Sequence, residues 1–367
     1  MSASGTRSAL RRIGLLHAAL LEPPAVRGWS LQEWDLGLRQ AARCKLSARL
    51  GAEIDAHGLL AQVPEAPRRH LEAARVLVDK HRRDIAYEVD CIQDALRAVD
   101  TPVLLLKGAA YVAAALPLAR TRLFSDVDIM VPHTHLGEVE RALKRAGWAM
   151  ATADTYDQSY YRRFAHELPP FVHAFRGTLL DVHHTILPPT AAATPDPVKL
   201  LASSRRVRGR VRVLEPVDMF LHSAAHLFHE GDFGHGFRDL LDLRDLLEQF
   251  AGEQAFAPRL ARRAREFGLR RVVHHALHCV RRFWGSRAVP DIAPDDSLTP
   301  ALQSTLQALF DRALAPMHPS CDDAFSTAAR FALYLRGHWL RMPPRLLLPH
   351  LARKSVMRLR DRGGARG

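Results

Sequence analysis

The sequence predicts an α+β protein. A small mixed β-sheet core at residues 99–190 is flanked by helical regions at 1–98 and 198–350, and a basic tail follows at 351–367. Three observations lead there. Apolar residues recur at spacings of three and four before residue 98 and after residue 198, the period of a helix that buries one face. Between 101 and 190, short apolar runs alternate with helical stretches. The Pro- and Ala-rich stretch LPPTAAATPDP then reads as a linker.

In order along the chain, TRSALRRIGLLHAALLEPPA has a short apolar run interrupted by His17 and Glu22, with no A-x-A site after it. It reads as a helix rather than an export signal. Ser30 and Glu33 stand at capping-box spacing ahead of Leu31, Trp34, Leu38, Ala41 and Ala42. A long helix is expected from near Pro67 to about Ala98, with Leu71, Ala74, Val78, His81, Ile85 and Val89 on one stripe. PVLLLK is a buried-strand run, and a helix is expected from Gly108 to Leu116, stopped by Pro117. LFSDVDIMV alternates as a strand does. Thr134 is the expected cap of the next helix, with Leu136, Val139, Leu143 and Ala146 inward. FVHAFRGTLLDVHH reads as a hairpin turning at Arg176-Gly177. From Val198 onward the pattern predicts helices: EPVDMFLHSAAHLFHE, FRDLLDLRDLLEQF with its Arg and Asp outward, then 256–283, 299–314 and 322–339.

The net charge of +13 and a pI near 10.2 favour an anionic partner such as nucleic acid, a nucleotide or an acidic membrane surface. Arginine-rich coding accounts for the same excess without a partner. Cys44, Cys91, Cys279 and Cys321 lie far apart with no C-x-x-C. This argues against a zinc ribbon or a disulfide framework and fits the cytoplasm. No transmembrane segment is expected, because Lys107 sits in the middle of the apolar run from Pro102 to Ala119 and Pro117 near its end. The basic, apolar stretch from about Trp339 suits a peripheral membrane surface, a nucleic-acid backbone or plain solvation.

The chemistry concentrates between Leu104 and Pro132. In a strand, residues two apart share a face, so Asp126 and Asp128 project together while Val127, Ile129 and Val131 face a core. Paired carboxylates repel unless a cation lies between them. An oxygen-loving divalent ion, Mg²⁺ with Mn²⁺ as alternative, is the natural partner. Asp181 shares a face with Leu179 and His183 on a later strand of the same expected sheet. Three converging carboxylates are what metal-assisted phosphoryl or nucleotidyl transfer needs. Lys107 and Gly108 stand where a strand turns into a helix, whose first amides can hold phosphate. Arg120 and Arg122 precede the acidic strand, positioned either for phosphate oxygens or for a salt bridge to the acids themselves.

As an ordered set, LLKG, R-x₂-SDVDIMV and LLDVH resemble the DNA polymerase beta-type nucleotidyltransferase superfamily, and more narrowly a bacterial nucleotidyltransferase family with Lys-Gly at the first turn. The resemblance covers roughly residues 100–185. It implies a minimal mixed sheet, a metal triad at Asp126, Asp128 and Asp181, and a nucleoside-triphosphate site around Lys107, Gly108 and Ser125, which Arg122 is positioned to aid. The chain is also similar to abortive-infection toxin nucleotidyltransferases, whose R-D-x-x-D-L segment is matched by Arg238-Asp239-Leu240-Leu241-Asp242-Leu243.

His222, His226 and His229 fall on one helical face, readable as a zinc set or as a buried histidine face. His183 is a candidate substrate contact, and His274, His275 and His278 are expected at the surface. The leading expectation is a Mg²⁺-dependent nucleotidyltransferase moving a nucleoside monophosphate from NTP to an unidentified acceptor. A toxin-like enzyme acting on tRNA and a non-catalytic nucleotide- or RNA-binding protein of the same fold stay open.

Overall fold

The computed structural model describes residues 13–151, 165–292 and 298–341. The tyrosine-rich connection after Ala151 and the basic tail lie outside them.

Four helices come first: α1 (Leu15–Leu21), α2 (Leu31–Arg43), α3 (Ser47–Ala56) and α4 (Glu65–Ala95). The expected capping box opens α2. The Glu33 amide donates to Ser30 Oγ at 3.3 Å, and the Ser30 amide to Glu33 Oε2 at 2.8 Å. In α4, Leu71, Val78, Ile85 and Val89 are buried as their spacing requires. This helix packs on the sheet and its first crossing helix. His17 does not break an apolar run: it is fully buried, and its Nε2 lies 2.9 Å from the Phe283 carbonyl oxygen.

The described residues form a seven-stranded mixed sheet in the order β3-β4-β5-β2-β1-β7-β6. Its strands are β1 (Val103–Leu106), β2 (Asp126–Met130), β3 (Trp148–Met150), β4 (Phe171–His173), β5 (Leu179–His183), β6 (Arg205–Arg208) and β7 (Val211–Val213). The hairpin from β4 to β5 turns where expected, with Gly177 at φ 69°. Sequence periodicity predicts helix after Val198, whereas β7 pairs parallel with β1 and β6 closes the edge. These strands are masked by composition. RRVRGRVRV is arginine-rich, and all of β6 is exposed.

Within the sheet region, α5 spans Lys107–Ala113, starting one residue early and ending before Ala115, whose φ of 53° breaks the helix. Helix α6 (Leu136–Arg145) is not capped by Thr134. A 3₁₀ turn at His133–His135 leads into it, and Ala142, not Ala146, joins Val139 and Leu143 inward.

The remaining helices are α7 (Pro197–Ser203), α8 (Pro216–His229), α9 (Gly236–Phe250), α10 (Phe256–Glu266), α11 (Arg270–Trp284), α12 (Pro300–Ala313) and α13 (Ser326–Arg341). Helix α8 is the hub, packing on α5, α9, α10, α11 and α13, and most of its residues are buried. Two surface expectations fail here. His275 is only 1 % exposed, against Phe228 and Phe310. Arg238 and Asp242 of α9 are buried rather than outward, because that side of the helix faces a polar cavity. Among the described residues, no helix is long and apolar enough to cross a membrane.

Candidate active site

The sheet's pairing assembles the acidic site. β2 runs parallel to β5 with Asp128 directly opposite Asp181, and antiparallel to β1 with Leu106 opposite Asp128. Asp126 lies two residues before Asp128 and so points the same way. The three aspartates each offer a carboxylate oxygen within 4.8 Å of the others.

Asp128 is the buried centre of the group, 2 % exposed. Lys107 Nζ donates to its Oδ1 at 3.0 Å, and His183 Nε2 lies 3.1 Å from the same oxygen. Burial alone would push the Asp128 carboxyl up, but Lys107 and His183 outweigh it and hold it well below the usual carboxylate range. Asp181 goes the other way. Burial, then the charges of Asp128 and Glu167, push it up to about 7. The chain therefore holds one carboxylate firmly ionised and crowds a second one, the situation that a divalent cation relieves. Asp126, at the mouth, accepts a hydrogen bond from Ser125 Oγ at 2.9 Å.

The strand-to-helix turn is strained. Lys107 has φ 44°, a left-handed backbone unusual for a lysine. That turn brings the ammonium back over β2. For Lys107, burial opposes the charge, but Asp128 and Glu230 hold it protonated. Gly108 is required by space. A Cβ there would lie 2.6 Å from Phe124 Cδ1 and 2.9 Å from Arg122 Nη1.

A cavity of about 210 Å³ opens in front of these groups. Lys107, Gly108, Arg122, Ser125, Asp126 and Asp128 line one side, and α8–α9 supply His226, Glu230, Arg238 and Asp239 opposite. Arg122 does not hang free for phosphate. Its Nε donates to Asp242 Oδ2 at 2.7 Å, and its guanidinium lies over the Tyr111 and Phe124 rings. Arg120 lines a separate cavity of about 700 Å³ between α3, α4 and α9, which contains none of the three aspartates.

The residues that spacing failed to single out come from loops and from helix faces. Glu167, on the segment entering β4, has Oε2 3.4 Å from His183 Nδ1. His183 thus stands between Asp128 and Glu167. Glu230 is pushed up to about 7 by burial and lies 3.2 Å from His226 Nε2. The i, i+4 spacing of that pair was its one visible signal. Of the α8 histidines, His222 is buried and lowered to about 3, and His229 is lowered by burial to about 4 beside Arg336. Among the described residues the converging ligand groups are Asp126–Asp128–Asp181 and His166–Glu167–His183, and no zinc set forms on α8.

A search of curated proteins returns no match, nor does a search of solved structures. A family model described as "Uncharacterised nucleotidyltransferase" matches residues 30–285, from the Ser30 cap of α2 to the end of α11. That span holds the whole sheet and every residue of the acidic site. The chain belongs to this uncharacterised nucleotidyltransferase family.

Proposed function

We propose that this protein transfers a nucleoside monophosphate from a nucleoside triphosphate to an acceptor hydroxyl or phosphate, with release of pyrophosphate. The observation that carries the reading is the opposition of Asp128 and Asp181 on parallel strands, with Asp126 completing a cluster within 4.8 Å. An all-oxygen donor set suits Mg²⁺, or Mn²⁺, better than a softer metal. When bound, such an ion neutralises triphosphate charge and favours the ionised acceptor.

The chain's own residues would divide the work. Asp126 and Asp128 hold the ion, with Ser125 orienting Asp126 through its 2.9 Å hydrogen bond. Asp181 completes the set and takes the acceptor's proton. Lys107, anchored 3.0 Å from Asp128, and the amide of Gly108 hold phosphate oxygens. Arg122 contributes positive potential and braces the wall through Asp242. Free thiols at all four cysteines fit the cytoplasm as the working compartment.

The test is transfer of label from each α-labelled NTP to macromolecules of a cell extract, with Mg²⁺ present. Asp128→Ala is expected to lower transfer by at least about 10³-fold, with the circular dichroism spectrum unchanged. Full transfer by a folded Asp128→Ala sinks the assignment.

A second reading, an RNA acceptor as in a toxin-like enzyme acting on tRNA, is favoured by one observation. Arg238, Asp239 and Asp242 line the same cavity as Asp126 and Asp128. It predicts growth arrest on expression, relieved by Asp126→Ala; harmless high-level expression opposes it. A non-catalytic binder would take up NTP without Mg²⁺-dependent turnover.

A further inference from the structure

We propose that His166, Glu167 and His183 form a second cation site, separate from the three aspartates, which takes a divalent transition metal and prefers Zn²⁺ to Mg²⁺. Each of the three residues offers a ligand atom within 4.8 Å of the other two. The proposal does not depend on nucleotidyl transfer.

The decisive feature is a set of buried ring nitrogens that converge without partners. His183 is 2 % exposed; its Nε2 lies 3.1 Å from Asp128 Oδ1, and its Nδ1 has no hydrogen-bond partner. That Nδ1 faces Glu167 Oε2 at 3.4 Å. An imidazole nitrogen beside a carboxylate oxygen is a ready pair of ligand atoms for a cation. His166 supplies a third donor. Its ring centroid lies 5.2 Å from that of His183, and its own Nδ1 is buried without a partner.

The separation also suits a metal. Tetrahedral zinc with bonds of about 2.0–2.1 Å sets its ligand atoms about 3.3–3.4 Å apart. The measured Glu167–His183 separation is 3.4 Å. Asp128 to His183 to the cation would be a carboxylate–histidine–metal chain, the arrangement that fixes a ligating tautomer. Two imidazoles and one carboxylate favour Zn²⁺ over Mg²⁺. Backbone bonds hold the ligands in place. The Leu168 amide donates to the Val182 carbonyl at 2.8 Å, and the His184 amide to the His166 carbonyl at 2.9 Å. The Glu167 side chain is 20 % exposed, so solvent reaches the edge of the cluster.

The rival occupant of the gap is a second proton on His183, and one experiment separates the two. The untagged full chain is stripped with chelator, dialysed against Zn²⁺ in excess Mg²⁺, and its metal measured by mass spectrometry. One equivalent of Zn²⁺ is expected. Glu167→Gln and His166→Ala are each expected to lower zinc affinity at least tenfold, whereas Asp126→Asn retains it. Zinc unaffected by both variants, or lost with Asp126→Asn, overturns a separate site. Absence of tightly held zinc from the wild type, with nitrogen NMR showing both His183 ring nitrogens protonated, overturns it in favour of an imidazolium. Should the variants misfold, zinc-edge absorption on the wild type decides: two imidazole ligands support the site, and any other shell refutes it.

Discussion

Replacing Arg122 with methionine asks whether this arginine braces the cavity or binds substrate. Its Nε lies 2.7 Å from Asp242 Oδ2, and the two side chains are 12 % and 10 % exposed. Breaking such a buried pair from one side costs about 3–5 kcal/mol, because the remaining charge is left in a poorly solvated place. Arg238 remains near enough to soften the loss for Asp242, so the lower end, about 3 kcal/mol, is the expected value. At roughly 2 °C per kcal/mol for a chain of this size, melting falls by about 6 °C. The assay is urea and thermal unfolding of Arg122→Met, Asp242→Leu and the double variant. The double variant is expected to recover most of the loss, giving a coupling of about 2 kcal/mol or more. An Arg122→Met protein that unfolds like the wild type, yet shows a tenfold higher KM for NTP, refutes the brace and makes the arginine a phosphate ligand.

Glu88 is 3 % exposed and accepts from Arg176 Nη2 at 3.0 Å and Thr178 Oγ1 at 2.9 Å, tying the β4–β5 turn to α4. Glu88→Ala is expected to cost about 2–4 kcal/mol in denaturant titration, with faster amide exchange at Leu179 and Leu180 than at the core of β1. Gly108→Ala drives a methyl against Phe124 and Arg122 and should cost about 1–3 kcal/mol. Its thermal melt checks this, and an unshifted melt refutes the clash. Burial lowers His17 to about 4 and His275 to about 3, so both fold neutral. The unfolded chain takes up these protons near pH 6.5, so stability is full above that pH and drains away as pH falls toward 4. His17→Phe should shrink the stability difference between pH 7 and pH 5 by about 2 kcal/mol, measured by urea midpoints at each pH.

The acidic cluster was legible because strands write their geometry plainly. Asp126, Asp128 and Asp181 sit among apolar residues at a period of two, and one turn at Gly177 sets where Asp181 falls. The strand-to-helix turn at Lys107 was equally visible, down to a one-residue shift. Other parts were hidden for identifiable reasons. β6 is an arginine-rich edge strand, and β7 beside it is only three residues long with an arginine at its centre, so neither shows the apolar run of a buried strand. Sequence alone points Arg122 toward phosphate or the nearby site acids, because its actual partner, Asp242, comes from a helix more than a hundred residues on. Arg238 and Asp242 looked solvated because amphipathic reasoning treats every polar face as an outer face, and this one lines a cavity. Glu167 and His166 enter from a loop, where no period exists to expose them.

Helix α9 has a second attachment, only three residues from the first. Asp242 receives Arg122 at the cavity wall, and Asp245 receives Arg49 from α3, with Nη2 to Oδ1 at 3.2 Å. Neighbouring rungs of one rod are thus bolted to the cavity wall and to the leading helices. A fragment cut down to the sheet would lose both fastenings together. Shortening the protein from its front end should therefore loosen the cavity wall, even though none of the described residues before Val99 lines the cavity.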